Sequence, residues 1–279
     1  MNKASSVASM PPRRTEFRVR SGKKVLPDTA ILVDWVQWLF QPKFNLKTDA
    51  VIGVEVLARW RHASGKTLIP ACFVTTLDRC DLLDELLRQQ LYQGLVLQQQ
   101  LRAQGHELNF VFNLHAVQWS NGMLASQIRT LLSEYGARGS SLTFELTESD
   151  LLQAPETSLE CLFSLQMMDC RLSIKNFGTD YSSLQRLFRL SFNEIKLGAG
   201  FVQALPRELR CQAVVGSTLA LGEALGVAVV AEGIETGEQR RHLLNMGCTQ
   251  GQGDWYVRPM SGADLLQWLG RAQQSSPRA

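Results

Sequence analysis

Leu172-Ser173-Ile174-Lys175-Asn176-Phe177-Gly178-Thr179-Asp180-Tyr181-Ser182-Ser183-Leu184 is the stretch on which the reading of this chain turns. Leu172 and Ile174, with the β-branched and aromatic character of the run, predict a short buried strand. Gly178-Thr179-Asp180 reads as a turn, and Ser182-Ser183 as the cap of a helix through Leu184, Leu187 and Phe188. The last strand residues are Lys175 and Asn176. The strand therefore delivers a cation and an amide to its loop, not a pair of carboxylates.

Working outward, residues 35–44 and 51–60 read as two strands around the turn Lys47-Thr48-Asp49. Residues 78–104 form an amphipathic helix with leucines at three- and four-residue steps, ended by Gly105. A strand at 108–114 ends near Asn113, and a helix follows to Tyr135. Strand 142–147 holds Glu145 and precedes a helix over 155–168. Beyond the opening stretch come strand 193–197 with Lys196, helix 208–225, and the apolar strand 227–231 running into Glu232. Helix 237–246, a short strand near 251–257 and helix 263–271 complete the order.

Strand and helix alternate at intervals of about 25–35 residues, which implies a parallel sheet. Several strands finish on lone polar residues: Asn113, Glu145, Lys175-Asn176, Lys196 and Glu232. In a (β/α)8 barrel such ends converge on one face, where the active sites of these barrels lie. A doubly wound sheet would gather its polar residues at one crevice instead. The expected fold is a single α/β domain of the barrel type.

Composition agrees with a globular chain: 279 residues, 45% hydrophobic and 20% charged. No apolar run approaches the roughly 20 residues that cross a bilayer, and the first ten lack the apolar core of a secretory signal. Six cysteines form no C-x-x-C pair and read as thiols in a reducing compartment, so a cytoplasmic location is expected. No nucleic-acid motif is present. The net charge of +3 hides an asymmetry, because residues 1–24 carry seven Lys/Arg and one acid, Glu16. The expected division is a flexible basic arm at 1–30, the barrel at 31–271 and a disordered tail at 272–279. The arm reads as a solvated tail or as a docking segment for an acidic surface.

Glu55, Asn113, Glu145, Glu232 and Gln252 make an oxygen-rich set suited to a hard divalent cation. Here the chain meets a known pattern. Gly53-Val54-Glu55-Val56-Leu57-Ala58-Arg59-Trp60 resembles the signature of the EAL-domain family of bacterial cyclic-di-GMP phosphodiesterases, with Val56 where the name has alanine. Gln41-Pro42, Asn113-Leu114, Glu145-Leu146-Thr147-Glu148-Ser149, Phe177-Gly178-Thr179, Ile195-Lys196, Ala231-Glu232-Gly233-Ile234-Glu235-Thr236, Gly251-Gln252-Gly253 and Arg258-Pro259 follow in the family's order. The resemblance spans residues 35–270 and implies a modified (β/α)8 TIM-like barrel.

By this resemblance Glu55, Asn113, Glu145 and Glu232 match the metal centre, and Lys196 matches the lysine beside the hydrolytic water. Glu55, Lys196 and Glu232 are thus the catalytic positions. Gln41, Glu55, Val56, Leu57, Arg59, Asn113, Glu235, Gln252, Arg258 and Pro259 match positions that hold the dinucleotide. Glu148 matches a residue that steadies the loop holding Lys175, Asn176 and Asp180. The departures cluster there: active members carry two aspartates where Lys175 and Asn176 stand, and a glycine at Asp180. Gly198 replaces an aspartate, and His115, which reads as a rim residue, replaces a serine.

Two divalent ions about 4 Å apart need bridging carboxylates to offset their repulsion, and an ammonium in their place would repel them. Lys175 is expected instead to satisfy Glu55 and Glu145; the rival reading is a lysine pointing to the surface. The expectation is a catalytically inactive EAL-type signalling protein, a metal-independent cyclic-di-GMP receptor. The alternatives are a protein-interaction regulator that no longer binds nucleotide, and a weak phosphodiesterase. No cofactor is expected, with Mg2+ or Mn2+ needed only if activity is retained. A protein partner and a homodimer stay open.

Overall fold

Apolar and polar residues alternate along the strands of the computed structural model, which describes residues 36–61, 67–68, 77, 82–120, 122–153, 158–177 and 190–275. The strands are β1 (Val36–Asn45), β2 (Val51–Arg61), β3 (Thr67–Leu68), β4 (Asn109–Asn113), β5 (Leu142–Thr147), β6 (Arg171–Phe177), β7 (Glu194–Leu197), β8 (Ala228–Ala231) and β9 (Gln250–Gly251). Their order is β1-β9-β8-β7-β6-β5-β4-β2-β3, and pairing of β1 with β2 closes eight of them into a barrel. From β2 through β4 to β9 neighbouring barrel strands are parallel.

β1 is the exception to the expected parallel sheet, lying antiparallel to both β2 and β9. Only residues 46–50 separate β1 from β2, too few for a crossover, so the two must form a hairpin. Asn45 Oδ1 accepts the backbone N–H groups of Lys47 at 2.9 Å and Thr48 at 3.2 Å, and Asp49 takes φ 56°. A local side-chain cap and a left-handed residue complete that tight turn.

The outward residues of the strands, among them Val54, Val56, Phe110, Phe112, Phe144, Leu146, Leu172 and Ile174, are buried in the main apolar core. Helices cover them: α1 (Leu83–Ala103), α2 (Ala116–Trp119), α3 (Leu124–Glu134), α4 (Glu148–Gln153), α5 (Leu159–Gln166), α6 (Ala199–Ala204), α7 (Leu209–Leu225), α8 (Gly237–Asn245) and α9 (Gly262–Ser275). A 3-10 turn, Gly139–Ser141, precedes β5. The inward residues are polar, including Lys43, Glu55, Glu145, Ser173, Glu194 and Lys196, all nearly or fully buried. This reverses the usual arrangement, in which the strands of a parallel sheet are apolar on both faces. The barrel is lined with charge and packed on its outside.

Several sequence expectations shift. The helix expected up to Tyr135 is two helices, α2 and α3, and α4 and α6 were not anticipated. The strand expected over 251–257 is only β9, because Tyr256 and Val257 donate back to the Gly253 carbonyl at 3.1 and 3.2 Å and turn the chain. The basic arm, Asp180, the helix cap at Ser182-Ser183 and the helix through Leu184 lie outside the described residues, as does the segment 78–81. Among the described residues no helix is long and apolar enough to cross a membrane.

Gly94 sets the distance between α1 and the barrel. A Cβ there would stand 2.5 Å from Phe112 Cε1 and 3.2 Å from Val56 Cγ2. Gly94→Ala should therefore destabilise the chain by about 1–3 kcal/mol through overpacking, read as a lower urea midpoint. An unchanged midpoint would mean that α1 slides freely on the sheet.

Candidate ligand site at the barrel mouth

Glu55, Glu145 and Lys175 come from β2, β5 and β6, and Lys196 from β7. Glu232 follows β8, and Gln252 follows β9. Because these strands run parallel, their inward side chains meet at one end of the barrel. Lys196 Nζ is fully buried and lies 2.9 Å from Glu55, 2.5 Å from Glu145 and 2.8 Å from Glu232. Lys175 Nζ lies 2.8 Å from Glu145, 3.3 Å from Glu55 and 3.6 Å from Glu232, and a quarter of its side chain is open to solvent. Each ammonium thus faces the same three carboxylates. Gln252 Nε2 donates to Glu55 at 2.6 Å and Asn113 Nδ2 at 3.2 Å.

A β-bulge positions Lys175. Ile174 pairs with Ile195 and Phe177 with Leu197, so Lys175 and Asn176 together oppose the single residue Lys196. Asn176 absorbs the extra residue at φ 56°, a left-handed conformation that asparagine tolerates better than most residues. The bulge keeps Lys175 on the inner face with Ser173 and returns Phe177 to the apolar core outside. Simple alternation would have sent Phe177 inward.

The two inner carboxyls differ. Burial raises the Glu55 carboxyl, but the charges of Lys175 and Lys196 and hydrogen bonds from Gln252 and Lys196 outweigh it, holding the group well below the usual carboxylate range. Burial also raises Glu145, and there it prevails over the same lysines, with Glu55 and Glu232 adding like-charge repulsion. Neither Glu145 oxygen makes a hydrogen bond of good geometry, despite its close ion contacts. Burial lowers both lysines, but the three carboxylates prevail and raise them above the ordinary lysine range. Three carboxylates against two ammoniums leave one formal negative charge at the mouth.

A second ionic layer, which sequence reading missed, lies beneath. Lys43 Nζ pairs with Glu194, itself accepting from Ser173 Oγ at 3.2 Å, and both charged side chains are buried. The available signal was spacing: Lys43 and Glu194 each sit two residues before or after a recognised inward residue, Gln41 and Lys196 respectively.

The other anticipated residues spread more widely. Gln41 stands opposite Glu55 across the hairpin, and Leu57 opposite Leu39, both half-buried. Arg59 is half-buried, and burial lowers its guanidinium while the Glu55 charge opposes that shift. Val56 departs from the expected nucleotide contact: its side chain is buried on the outer face against Gly94 and α1, because it neighbours inward Glu55 on an alternating strand. Glu235 is exposed and accepts from Gln203 at 2.9 Å. Arg258 is 84% exposed and pairs with Asp254 at 3.3 Å, and Pro259 is half-buried beside it. Glu148 is buried at the start of α4. His115 precedes α2, where its N–H donates to Gln118 at 2.8 Å.

Glu55, Glu145 and Glu232 each offer an oxygen within 4.8 Å of the others, the donor chemistry of a hard cation. The unsatisfied Glu145 oxygens fit such a role. The centre of that triangle, however, is where both ammoniums lie. An ammonium and a divalent ion about 4 Å apart repel by about 8 kcal/mol at an effective dielectric near 20. The residues as arranged do not fit a pair of divalent ions.

The closed eight-stranded barrel with a charged site at the C-terminal ends of its strands defines a (β/α)8-like ligand-binding fold. The chain belongs to the EAL domain family, whose family model matches residues 28–259. It is 41% identical over 229 residues to the cyclic di-GMP phosphodiesterase RocR of Pseudomonas aeruginosa, covering 82% of this chain and 58% of RocR. It is 33% identical over 228 residues to MucR of the same organism, a bifunctional diguanylate cyclase/cyclic di-GMP phosphodiesterase, covering 81% of this chain and 33% of MucR. The solved PaMucR phosphodiesterase in complex with c-di-GMP superposes with a TM-score of 0.80 at 32% identity, over 85% of this chain and 96% of that one. The chain thus spans between a third and three-fifths of the length of these two curated relatives.

Proposed function

We propose that this member of the cyclic-di-GMP signalling family binds the dinucleotide without a metal and does not hydrolyse it. The observation that carries this reading is Lys175 Nζ at 2.8 Å from Glu145, 3.3 Å from Glu55 and 3.6 Å from Glu232. A fixed ammonium there supplies positive charge to the carboxylates but offers no open coordination position and no Lewis acidity. Glu55, Lys196 and Glu232 then serve as a structural ion cluster. Gln41, Leu57, Arg59, Asn113 and Gln252 remain as the groups that recognise ligand, with the Arg59 guanidinium pairing with a phosphodiester. The loop with Lys175, Asn176 and Asp180 is the part set apart from active relatives.

The formal negative charge left at the mouth favours a second reading, in which the doubly charged dinucleotide is rejected and the barrel acts through a protein partner. Calorimetric titration with cyclic-di-GMP in the presence of a chelator separates the two. Heat that saturates, with no linear dinucleotide formed on adding magnesium, is the expected result. Absence of heat at tens of micromolar ligand selects the second reading. Magnesium-dependent product that Glu55→Gln abolishes would overturn both.

A further inference from the structure

The opposite end of the barrel holds a feature that the mouth does not use. Between the end of α1, the start of β4 and the 3-10 turn before β5 lies an open cleft of about 260 Å³. Its wall carries Arg102, Arg138 and His106, with Asn109 and Ser140 as neutral polar neighbours and Glu107 as its one acid. We infer that this cleft is a second binding site, for a small oxyanion such as a phosphomonoester or a carboxylate.

Three observations converge on that chemistry. Arg102 is held in place through carbonyls and not through a carboxylate: Nη1 donates to Gly136 O at 2.8 Å and Nη2 to Tyr135 O at 3.3 Å. Its charge is not cancelled, its fork is preorganised, and three of its five N–H groups are left for a ligand. Arg138 is exposed beside it, and among the described residues no carboxylate lies within ion-pair distance of either guanidinium. His106 Nε2 is shielded from solvent and has no hydrogen-bond partner. A buried polar atom left unpaired is costly, and turning the His106 ring toward the cleft, where a bound oxygen or hydroxyl could meet it, would relieve that cost.

The cleft's size sets the class of ligand. Its volume falls just below the roughly 300–1,000 Å³ of sites for drug-sized molecules, so a cyclic dinucleotide does not fit and a compact anion does. Its place sets the role. Barrels of this type carry out chemistry at the C-terminal ends of their strands, whereas this cleft lies at the N-terminal ends of β4 and β5. An occupant here regulates or stabilises and is not a substrate. Asn109 links the cleft to the barrel interior, since its Oδ1 accepts from Thr143 Oγ1 at 2.8 Å while its Nδ2 donates to Ser140 O at 3.3 Å.

The test is an amide chemical-shift titration of the 279-residue chain with inorganic phosphate and, separately, citrate, at constant ionic strength. The expected result is a saturating shift confined to residues 102–109 and 136–141, with a midpoint at millimolar concentration or below for one of the two anions. Arg138→Ala, on an exposed side chain, should weaken that midpoint about tenfold by removing one charge-assisted contact. Arg207→Ala, which removes a charge between α6 and α7 on the other side of the barrel, should leave it unchanged. Shifts that do not saturate by tens of millimolar, that scatter over the surface, or that persist unchanged in Arg138→Ala would overturn the inference.

Discussion

Lys196→Met should lower the stability of this chain by about 3–5 kcal/mol, the cost of removing one partner from a buried ion cluster. The Lys196 ammonium has no solvent exposure, and its three contacts are 2.9, 2.5 and 2.8 Å long. Without it, three carboxylates share Lys175 alone, and Glu55 and Glu145 are buried too deeply for water to screen them. For a chain of 279 residues the loss corresponds to a fall of roughly 5–9 °C in melting temperature. Lys175→Met should cost distinctly less, because part of that side chain is already open to solvent. Urea denaturation of both variants gives the comparison. A loss below about 1 kcal/mol for Lys196→Met would show that the carboxylates are neutralised by protons and not by lysine.

The second large effect runs in the opposite direction. Lys175→Asp with Asn176→Asp restores the two aspartates that active family members carry by resemblance. In the absence of metal, Lys196 would then face a fourth carboxylate at position 175 and have a fifth at the exposed position 176, and the variant should melt well below the parent. Manganese should reverse this, stabilising the variant by about 2.7 kcal/mol at a hundred times its dissociation constant while leaving the parent unmoved. Metal-assisted charge stabilisation is worth several kcal/mol in the transition state, so magnesium-dependent linear dinucleotide should appear at least about 100-fold above the parent. Two outcomes count against the proposed role of Lys175. One is a parent that shows the same manganese shift; the other is a double variant that binds manganese no better.

Much of this was legible in the chain itself. The register of β5 was predicted to the residue, because Leu142–Thr147 alternates cleanly between turn signals. The strands β1 and β2 were legible around their turn, but the rhythm of elements implied a parallel sheet and left their antiparallel pairing unread. What misled was the two-residue period at places where the chain breaks it. The strand reads as ending at Lys175 and Asn176, yet it continues to Phe177, which the bulge turns to the outside. Val56 is the converse case: the recognised signature suggested a ligand contact, and the unbroken alternation of β2 turns it from the mouth toward Gly94. The cleft around Arg102 and His106 had no motif at all, since its residues come from a helix end, a strand start and a 3-10 turn.

The order of elements, the family and the exchange of two aspartates for Lys175 and Asn176 were determined by the sequence, because spacing and residue type are local properties. Only the tertiary structure decided that both lysines face the same three carboxylates. It alone paired Lys43 with Glu194 across the barrel. Barrel closure brings together side chains more than a hundred residues apart, and the balance between burial and charge exists only once they meet.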